Sequence, residues 1–372
     1  MPLFTIFVVA AVITGAGSML SPAWQTRQPR IGLSSGFLLA LLVGGAVFWT
    51  ELSGWDTLII DYLLFALVTF VVLGGTLAQA QTRAEALGET LPDADQGWTS
   101  RKDLLFLLVA GILFLVPALA IALPLGDSGT LNAYVSFSVL EGRDFSQLLP
   151  FHPEITVFHA PGFHGLSSYL SQQLEQSIHS VQIGVGAVVA WLCVWVIYDL
   201  GSEIADKRTG RWMALAFIFS TAPLALLING QYTILMALLF ALSAVICMLR
   251  YQREAIWMDM VAGGLLLGAV LYTNFTIFVL LLLTYVLWVI TLFIVPGGQQ
   301  TQQAAPLQSN FPRRTMGLIL GIPGVALIGT APWLLNNLPL LAEFAPGETM
   351  GVNPGLMVLL SGIFLIPAAI AG

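Results

Sequence analysis

Long apolar runs separated by short polar segments dominate the chain. A helix that crosses a membrane needs about 20 apolar residues, and eleven segments approach or reach this length. They cover residues 2–20, 33–50, 57–79, 103–124, 180–199, 212–229, 231–249, 256–272, 274–295, 316–335 and 355–372. Because a helix satisfies its own backbone hydrogen bonds in lipid, the pattern predicts an all-α integral membrane protein with about eleven transmembrane helices.

The polar stretch at residues 125–179 is the longest connection between two apolar runs, and it predicts a large loop. Within it, residues 128–141 and 162–176 repeat apolar side chains at spacings of three and four, which is typical of amphipathic helices. Because each lies close to a predicted span, we expect both helices to rest at the membrane interface with their apolar side towards the lipid. Three prolines between the helices predict an irregular segment over 145–161.

The composition agrees with a membrane protein and excludes several other classes. Hydrophobic residues make up 57% of the chain and charged residues 9%, whereas a soluble domain carries roughly 25% charged residues. The two cysteines, Cys193 and Cys247, lie inside apolar runs, so we expect small buried side chains and no disulfide framework. Basic residues are few and scattered, which argues against a nucleic-acid partner.

Basic residues mark one side of the predicted topology. If the N-terminus is outside, twelve of the thirteen Lys and Arg residues fall in inner loops, as the positive-inside rule requires. Arg143 is then the only basic residue on the outer side. The twenty acidic residues divide equally, ten on each side, so the outer face is strongly acidic. We therefore predict that the loop 125–179 is extracytoplasmic.

Polar linkers divide the chain into parts. Residues 81–102 form an inner linker with a turn-rich sequence, which separates a three-span N-terminal extension, 1–80, from a membrane core, 103–372. The sequence stops at Gly372, directly after the last predicted span. We therefore expect that the protein continues with a further C-terminal segment.

A series of short features follows the inner linker in a recognisable order. They are the apolar run 103–124, Asp127 directly after it, the predicted helix at 134–142, the segment Phe158-His159-Ala160-Pro161-Gly162-Phe163-His164, the turn Asn229-Gly230-Gln231-Tyr232 and the Gly-rich run 263–276. Over about 103–335, this order resembles the C-type glycosyltransferases (GT-C), polytopic enzymes that use lipid-phosphate-linked sugars. The resemblance implies a GT-C-like core.

The resemblance also implies a site on the outer side, where a sugar leaves a polyprenyl-phosphate carrier. Asp127 would take the proton of the acceptor hydroxyl, because glycosyl transfer needs a carboxylate for this step. Substrate or phosphate would contact a further set of side chains, which comprises Arg143, His159, His164, Asn229, Gln231 and Tyr232. A divalent metal cation held by Asp127 and Asp144 would explain how so acidic a face admits a phosphate.

Each of these residues also has a structural interpretation. Asp127 precedes a predicted helix and is a candidate N-cap. Arg143 is a candidate for an exposed ion pair with Asp144, which would contribute about 0–1 kcal/mol. The histidine spacings match no zinc pattern, so hydrogen bonds within the loop are the alternative to metal binding. Asn229 and Gln231 fit ordinary turn chemistry at the end of a span.

Two functions follow from these interpretations. The first is a membrane glycosyltransferase that moves a sugar from a polyprenyl-phosphate donor to an acceptor on the extracytoplasmic face. The second is a non-catalytic, GT-C-like structural or lipid-binding subunit that joins other membrane subunits. Three departures from the family favour the second: Ser128 follows Asp127 in place of a second acid, Asn229 and Gln231 occupy a turn where many members place an acid, and three spans precede the core. A transporter ranks last, because the sequence shows no internal repeat.

Overall fold

The computed structural model describes residues 2–24, 30–86, 101–120, 126–142, 147–148, 152–156, 160–294 and 311–343, and these residues are almost entirely helical. The helices are α1 (Pro2–Leu20), α2 (Ile31–Ser53), α3 (Thr57–Ala86), α4 (Arg101–Ala120), α5 (Asp127–Gly142), α6 (Gly162–Gln173), α7 (Ile178–Ile204), α8 (Lys207–Phe219), α9 (Thr221–Ile228), α10 (Tyr232–Glu254), α11 (Trp257–Thr273), α12 (Phe275–Ile294), α13 (Phe311–Met316) and α14 (Ile322–Glu343). A 3-10 turn, Ser21–Trp24, follows α1, and a π-helical segment, Gly317–Gly321, joins α13 to α14.

Among the described residues, seven helices are long and apolar enough to cross a membrane. They are α1, α2, α3, α4, α7, α10 and the segment Arg314–Asn337 that contains most of α14. Two further apolar segments, Trp257–Thr273 of α11 and Phe275–Thr291 of α12, are shorter. These helices indicate insertion into a lipid bilayer. The count of eleven spans stays a prediction, and its last member, 355–372, lies outside the described residues.

The predicted span at 212–229 is not one straight helix. It consists of α8 and α9, which meet at an angle of 46°. The break occurs at Ser220, whose backbone is extended, with a ψ angle of 134°. Pro223 follows in the first turn of α9, where the missing N–H costs no intrahelical hydrogen bond. The apolar pattern did not reveal this break, because it continues through Ser220.

Helix α2 lies in the centre of the structure. In the apolar 18-residue segment of each helix, 67% of the residues are buried in α2, against 17% in α3 and 28% in α4. A Cβ atom at Gly32 would lie 2.6 Å from the Trp195 backbone, so the two helices approach as closely as glycine allows. The Leu33 N–H donates to the Asp199 carboxylate at 3.0 Å, which places an acid of α7 at the N-terminus of α2. The boundary at residue 81 stays a prediction, but α2 forms part of the core.

Ion pairs join the helices at one end of the bundle. Arg30 contacts Glu203 at 2.8 Å, and Arg253 approaches the same carboxylate at 3.4 Å. Arg250 and Asp259 form a fully buried pair at 3.0 Å. These arginines were all predicted to lie in inner loops, and the structure brings them together. Their orientation relative to the membrane stays a prediction.

Helices α5 and α6 lie at the opposite end, and both confirm the predicted helices of the loop. Helix α6 differs from the expected amphipathic helix, because its polar side is buried as well as its apolar side. It is inserted between other helices: a Cβ atom at Gly162 would lie 2.6 Å from a methyl group of Val43 and 2.7 Å from the Tyr272 carbonyl. The segment expected to be irregular contains two short antiparallel strands, β1 (Gln147–Leu148) and β2 (His152–Thr156).

Candidate functional site

Asp127 is the first residue of α5, and its side chain is exposed. Among the described residues, its carboxylate makes no hydrogen bond and no ion pair. The helix begins with a backbone hydrogen bond from Gly129 N–H to the Gly126 carbonyl, so Gly126 occupies the capping position that the sequence suggested for Asp127. A carboxylate at the first helical position is stabilised by the positive end of the helix dipole and is free to accept a proton or a cation.

The start of α5 rests against the turn between α9 and α10. A Cβ atom at Gly126 would lie 2.8 Å from the Asn229 carbonyl oxygen, and the Asn132 side chain donates to the Gly230 carbonyl at 2.7 Å. Gly230 has a φ angle of +73°, which favours glycine and closes the end of α9. Asn229 is exposed and Gln231 is half-buried. The start of α5, with Asp127, therefore lies close to the turn that carries Asn229 and Gln231, and a shared site stays a prediction.

A buried set of polar side chains joins α5 to α6 and α7. We call Asn132, Ser136, His164, Ser168 and Gln182 the polar seam. The Gln182 amide donates to the Asn132 carbonyl at 3.0 Å and to the Ser136 hydroxyl at 2.8 Å. Ser136 Oγ lies 3.1 Å from His164 Nδ1, and the Ser168 hydroxyl donates to the Ser136 carbonyl at 2.6 Å. Such a connected network fixes the relative position of the helices that carry it.

Two predicted substrate residues are buried inside the protein. His164 is 3% exposed and belongs to the polar seam. Tyr232 is 1% exposed, and its ring stacks on Phe163 with centroids 5.6 Å apart. A Cβ atom at Gly186 would lie 2.5 Å from the Tyr232 ring, so α7 also covers it. Both side chains support the packing of α6, and their contact with substrate stays a prediction.

Arg143, Asp144 and His159 lie outside the described residues, and their roles stay predictions. The proposed metal pair, Asp127 and Asp144, therefore has one member within the described structure. No group of three or more potential metal ligands occurs among the described residues.

The prediction overlooked most of the polar seam, although the sequence contains a signal for it. Asn132 and Ser136 are four residues apart on α5, and His164 and Ser168 are four residues apart on α6. A spacing of four places both members on one side of a helix. Two polar sides on consecutive helices indicate a buried polar contact when the helices face each other, but the sequence does not specify which sides meet.

Helix α6 is also held from the other side by the α2–α3 pair. The Tyr169 hydroxyl donates to the Asp61 carboxylate at 2.6 Å, and the Gln173 amide lies 3.5 Å from the same oxygen. Burial, reinforced by the hydrogen bond to Asp61 and by its negative charge, raises the pKa of Tyr169 above its usual value. The phenol therefore stays protonated and remains a donor throughout the physiological pH range.

An apolar groove of about 170 Å³ lies between α2, α11 and α14. Its walls are formed largely by small residues, which include Ala40, Gly44, Gly45, Gly264, Gly268, Ala269, Ala326 and Gly329. Tyr272 lines the groove at the end of α11, and its carbonyl contacts the start of α6. The groove therefore lies beside the start of α6.

The chain matches no protein-family model, no curated protein and no solved structure.

Proposed function

We propose that the protein is a membrane glycosyltransferase with a GT-C-like core, which moves a sugar from a polyprenyl-phosphate donor to an acceptor on the extracytoplasmic face. One observation carries the proposal: the carboxylate of Asp127 is exposed and has no partner among the described residues, and it lies at the start of α5, where Gly126 packs against the exposed turn at Asn229. The acid and the amide thus face a common surface at the end of the bundle where the donor's headgroup would lie.

The reaction assigned to this surface has one bond formed and one broken. The acceptor oxygen attacks the anomeric carbon of the donor sugar and forms the new glycosidic bond. The bond between that carbon and the phosphate oxygen breaks, and its electron pair leaves with the polyprenyl phosphate. Asp127 acts as the general base: it takes the proton of the acceptor hydroxyl, which makes the attacking oxygen more nucleophilic. Asn229 and Gln231 offer amide groups for the sugar hydroxyls.

Charge neutralisation at the leaving phosphate is assigned to other residues of the loop. Arg143 suits a phosphate, because a guanidinium donates two parallel hydrogen bonds, and His159 is a second donor. A divalent cation held by Asp127 and Asp144 would supply additional positive charge, and the unpaired carboxylate of Asp127 fits such a ligand. The apolar groove beside α6 is suited to part of the prenyl chain of the donor.

A second candidate is a non-catalytic GT-C-like subunit of a larger membrane assembly. The observation that favours it is the burial of His164 and Tyr232, because α6 fills the space between α2, α5, α7 and α11 with packed side chains. In this case the lipid-exposed helices α3 and α4 would provide the surface for other membrane subunits.

Substitution of Asp127 by asparagine tests the proposal, because asparagine has nearly the same shape but does not take the proton. Membranes that contain the variant are supplied with polyprenyl-phosphate hexoses and pentoses that carry a radiolabelled sugar, and the loss of label from the lipid phase is measured. We expect a decrease in rate of about 100-fold or more. The matched control is Glu141→Gln, which removes an exposed acid from the other end of α5.

The two candidates give different results in this assay. Undiminished transfer by Asp127→Asn would show that Asp127 is not the base. If the wild-type protein releases no label from any of these donors and co-purifies in fixed proportion with other membrane proteins, the subunit is the better description.

A further inference from the structure

The contact between Asp61 and Tyr169 links the N-terminal helices to the outer end of the protein. The O–H···O distance is 2.6 Å, which is typical of a strong hydrogen bond to a charged acceptor. Tyr169 is 5% exposed, whereas Asp61 is exposed near the start of α3. A buried donor thus reaches out of α6 to an acid on a helix that belongs to the first three spans.

Apolar contacts surround this hydrogen bond. Tyr169 packs in one cluster with Ala46 of α2, Trp55 in the α2–α3 connection, Ile60 of α3 and Val139 of α5. The α2–α3 pair therefore packs against α6 in a cluster that also includes Val139 of α5, and the hydrogen bond is a polar contact between α3 and α6 within this cluster.

The contact continues directly into the polar seam. Tyr169 follows Ser168 on α6, and the Ser168 hydroxyl bonds to α5 through the Ser136 carbonyl. On α5, Asn132 lies one turn closer to the N-terminus and bonds to the turn at Gly230. A displacement of α6 therefore changes contacts at Ser136, one turn from Asn132 and about two turns from the start of α5.

Helix α3 is suited to controlling this arrangement from outside the core. Only 17% of the residues in its apolar segment are buried. It packs mainly on α1, α2 and the 3-10 turn. Lipid or another membrane protein can reach α3 directly, whereas α6 is enclosed.

We propose that Asp61 and Tyr169 are positioning residues, through which the α2–α3 pair sets the position of α6 and, through the polar seam, of the first turn of α5 with Asp127. The structural part of this proposal depends only on the contacts. Its effect on transfer rests on the proposed function.

Hydrogen–deuterium exchange of the protein in lipid nanodiscs tests the structural part. We expect Asp61→Ala and Tyr169→Phe each to increase the exchange rate of amides in α6 at least threefold. Because the two side chains form one contact, the double variant should exchange no faster than either single variant. Asp61→Asn keeps an acceptor oxygen and should restore most of the protection. Tyr62→Phe, which removes a hydroxyl from an exposed neighbour on α3, is the control.

Donor kinetics test the effect on the site, with a polyprenyl-phosphate sugar that the wild-type protein turns over. We expect kcat to fall about tenfold in Asp61→Ala and Tyr169→Phe, while KM for the donor stays within twofold, because displacement of the first turn of α5 moves Asp127 relative to the acceptor hydroxyl. Partial recovery of kcat in Asp61→Asn separates a positioning role from general destabilisation.

Unchanged exchange in α6, or additive effects in the double variant, would overturn the proposal. Faster exchange with unchanged kcat would overturn its catalytic part and leave the structural contact established. If the wild-type protein turns over no donor, the proposed function fails, and the exchange experiment still decides the role of Asp61 and Tyr169.

Discussion

Replacement of Gln182 by leucine tests whether the polar seam stabilises the outer end of the protein. Gln182 lies on α7, is 1% exposed, and donates one hydrogen bond to the Asn132 carbonyl and one to the Ser136 hydroxyl. Leucine has a similar volume but no donor, so the substitution removes both bonds without leaving a large cavity.

The expected cost follows from these two hydrogen bonds. Each contributes about 0.5–1.5 kcal/mol net, which sets an upper range of about 1–3 kcal/mol. Two effects reduce the cost. Gln182 Oε1 is buried and accepts no hydrogen bond within the described structure, so its removal relieves a desolvation penalty. Ser136 also retains His164 as a partner. We therefore expect a loss of about 1–2 kcal/mol, or roughly 2–5 °C in Tm.

The two free cysteines provide the assay. Cys193 and Cys247 are fully buried, so a thiol-reactive fluorophore reports their exposure when the purified protein unfolds on heating. The control is Gln172→Leu, which makes the same change at an exposed position of α6. If Gln182→Leu unfolds within 1 °C of the wild type, or above it, the seam does not stabilise the fold and the reasoning is wrong.

Two further predictions concern the opposite end of the bundle. Arg250→Met leaves Asp259 buried without its cation and should lower the free energy of unfolding by about 3–5 kcal/mol. The double variant with Asp259→Leu should recover most of the lost Tm in the same assay. A double variant as unstable as the single one would contradict this. Asp206 caps α8, and hydrogen bonds from the Thr209 backbone and side chain lower the pKa of its carboxyl group. The contribution of this cap to the stability of the fold is therefore fully present above the ordinary pKa of 3.8, and it is lost as the pH falls through the lowered pKa. Asp206→Ala should therefore lower the Tm at pH 7 but not at strongly acidic pH, and an equal difference at both would refute the capping role.

Local patterns predicted the elements of the outer loop well. The predicted helices at 128–141 and 162–176 correspond to Asp127–Gly142 and Gly162–Gln173. Such features depend on helical periodicity and on chain connectivity, which a sequence contains directly.

Features that depend on the partner of a helix were not predictable in this way. The polar side of α6 was expected to lie away from the protein's interior, but Ser168 bonds to α5 and His164 is buried there. The sequence shows that a side is polar, but not which other polar side it faces. Similarly, the sequence did not indicate that Gly32 and Leu33 join α2 to α7, and the division at residue 81 stays a prediction. Only the three-dimensional packing distinguishes these arrangements.

The central position of α2 has a consequence for biosynthesis. Its neighbours on opposite sides are α7, α11 and α14, and roughly 290 residues separate Ile31 at its start from Ile322 at the start of α14. At about 5–20 residues per second, the ribosome completes that last partner roughly 15–60 s after α2 has been made. During this interval the parts of α2 that pack on α7, α11 and α14 in the finished protein do not yet have all of their native partners. The newly made N-terminal helices therefore need a holding site in the insertion machinery, or a loosely associated state in the bilayer, until the rest of the chain arrives.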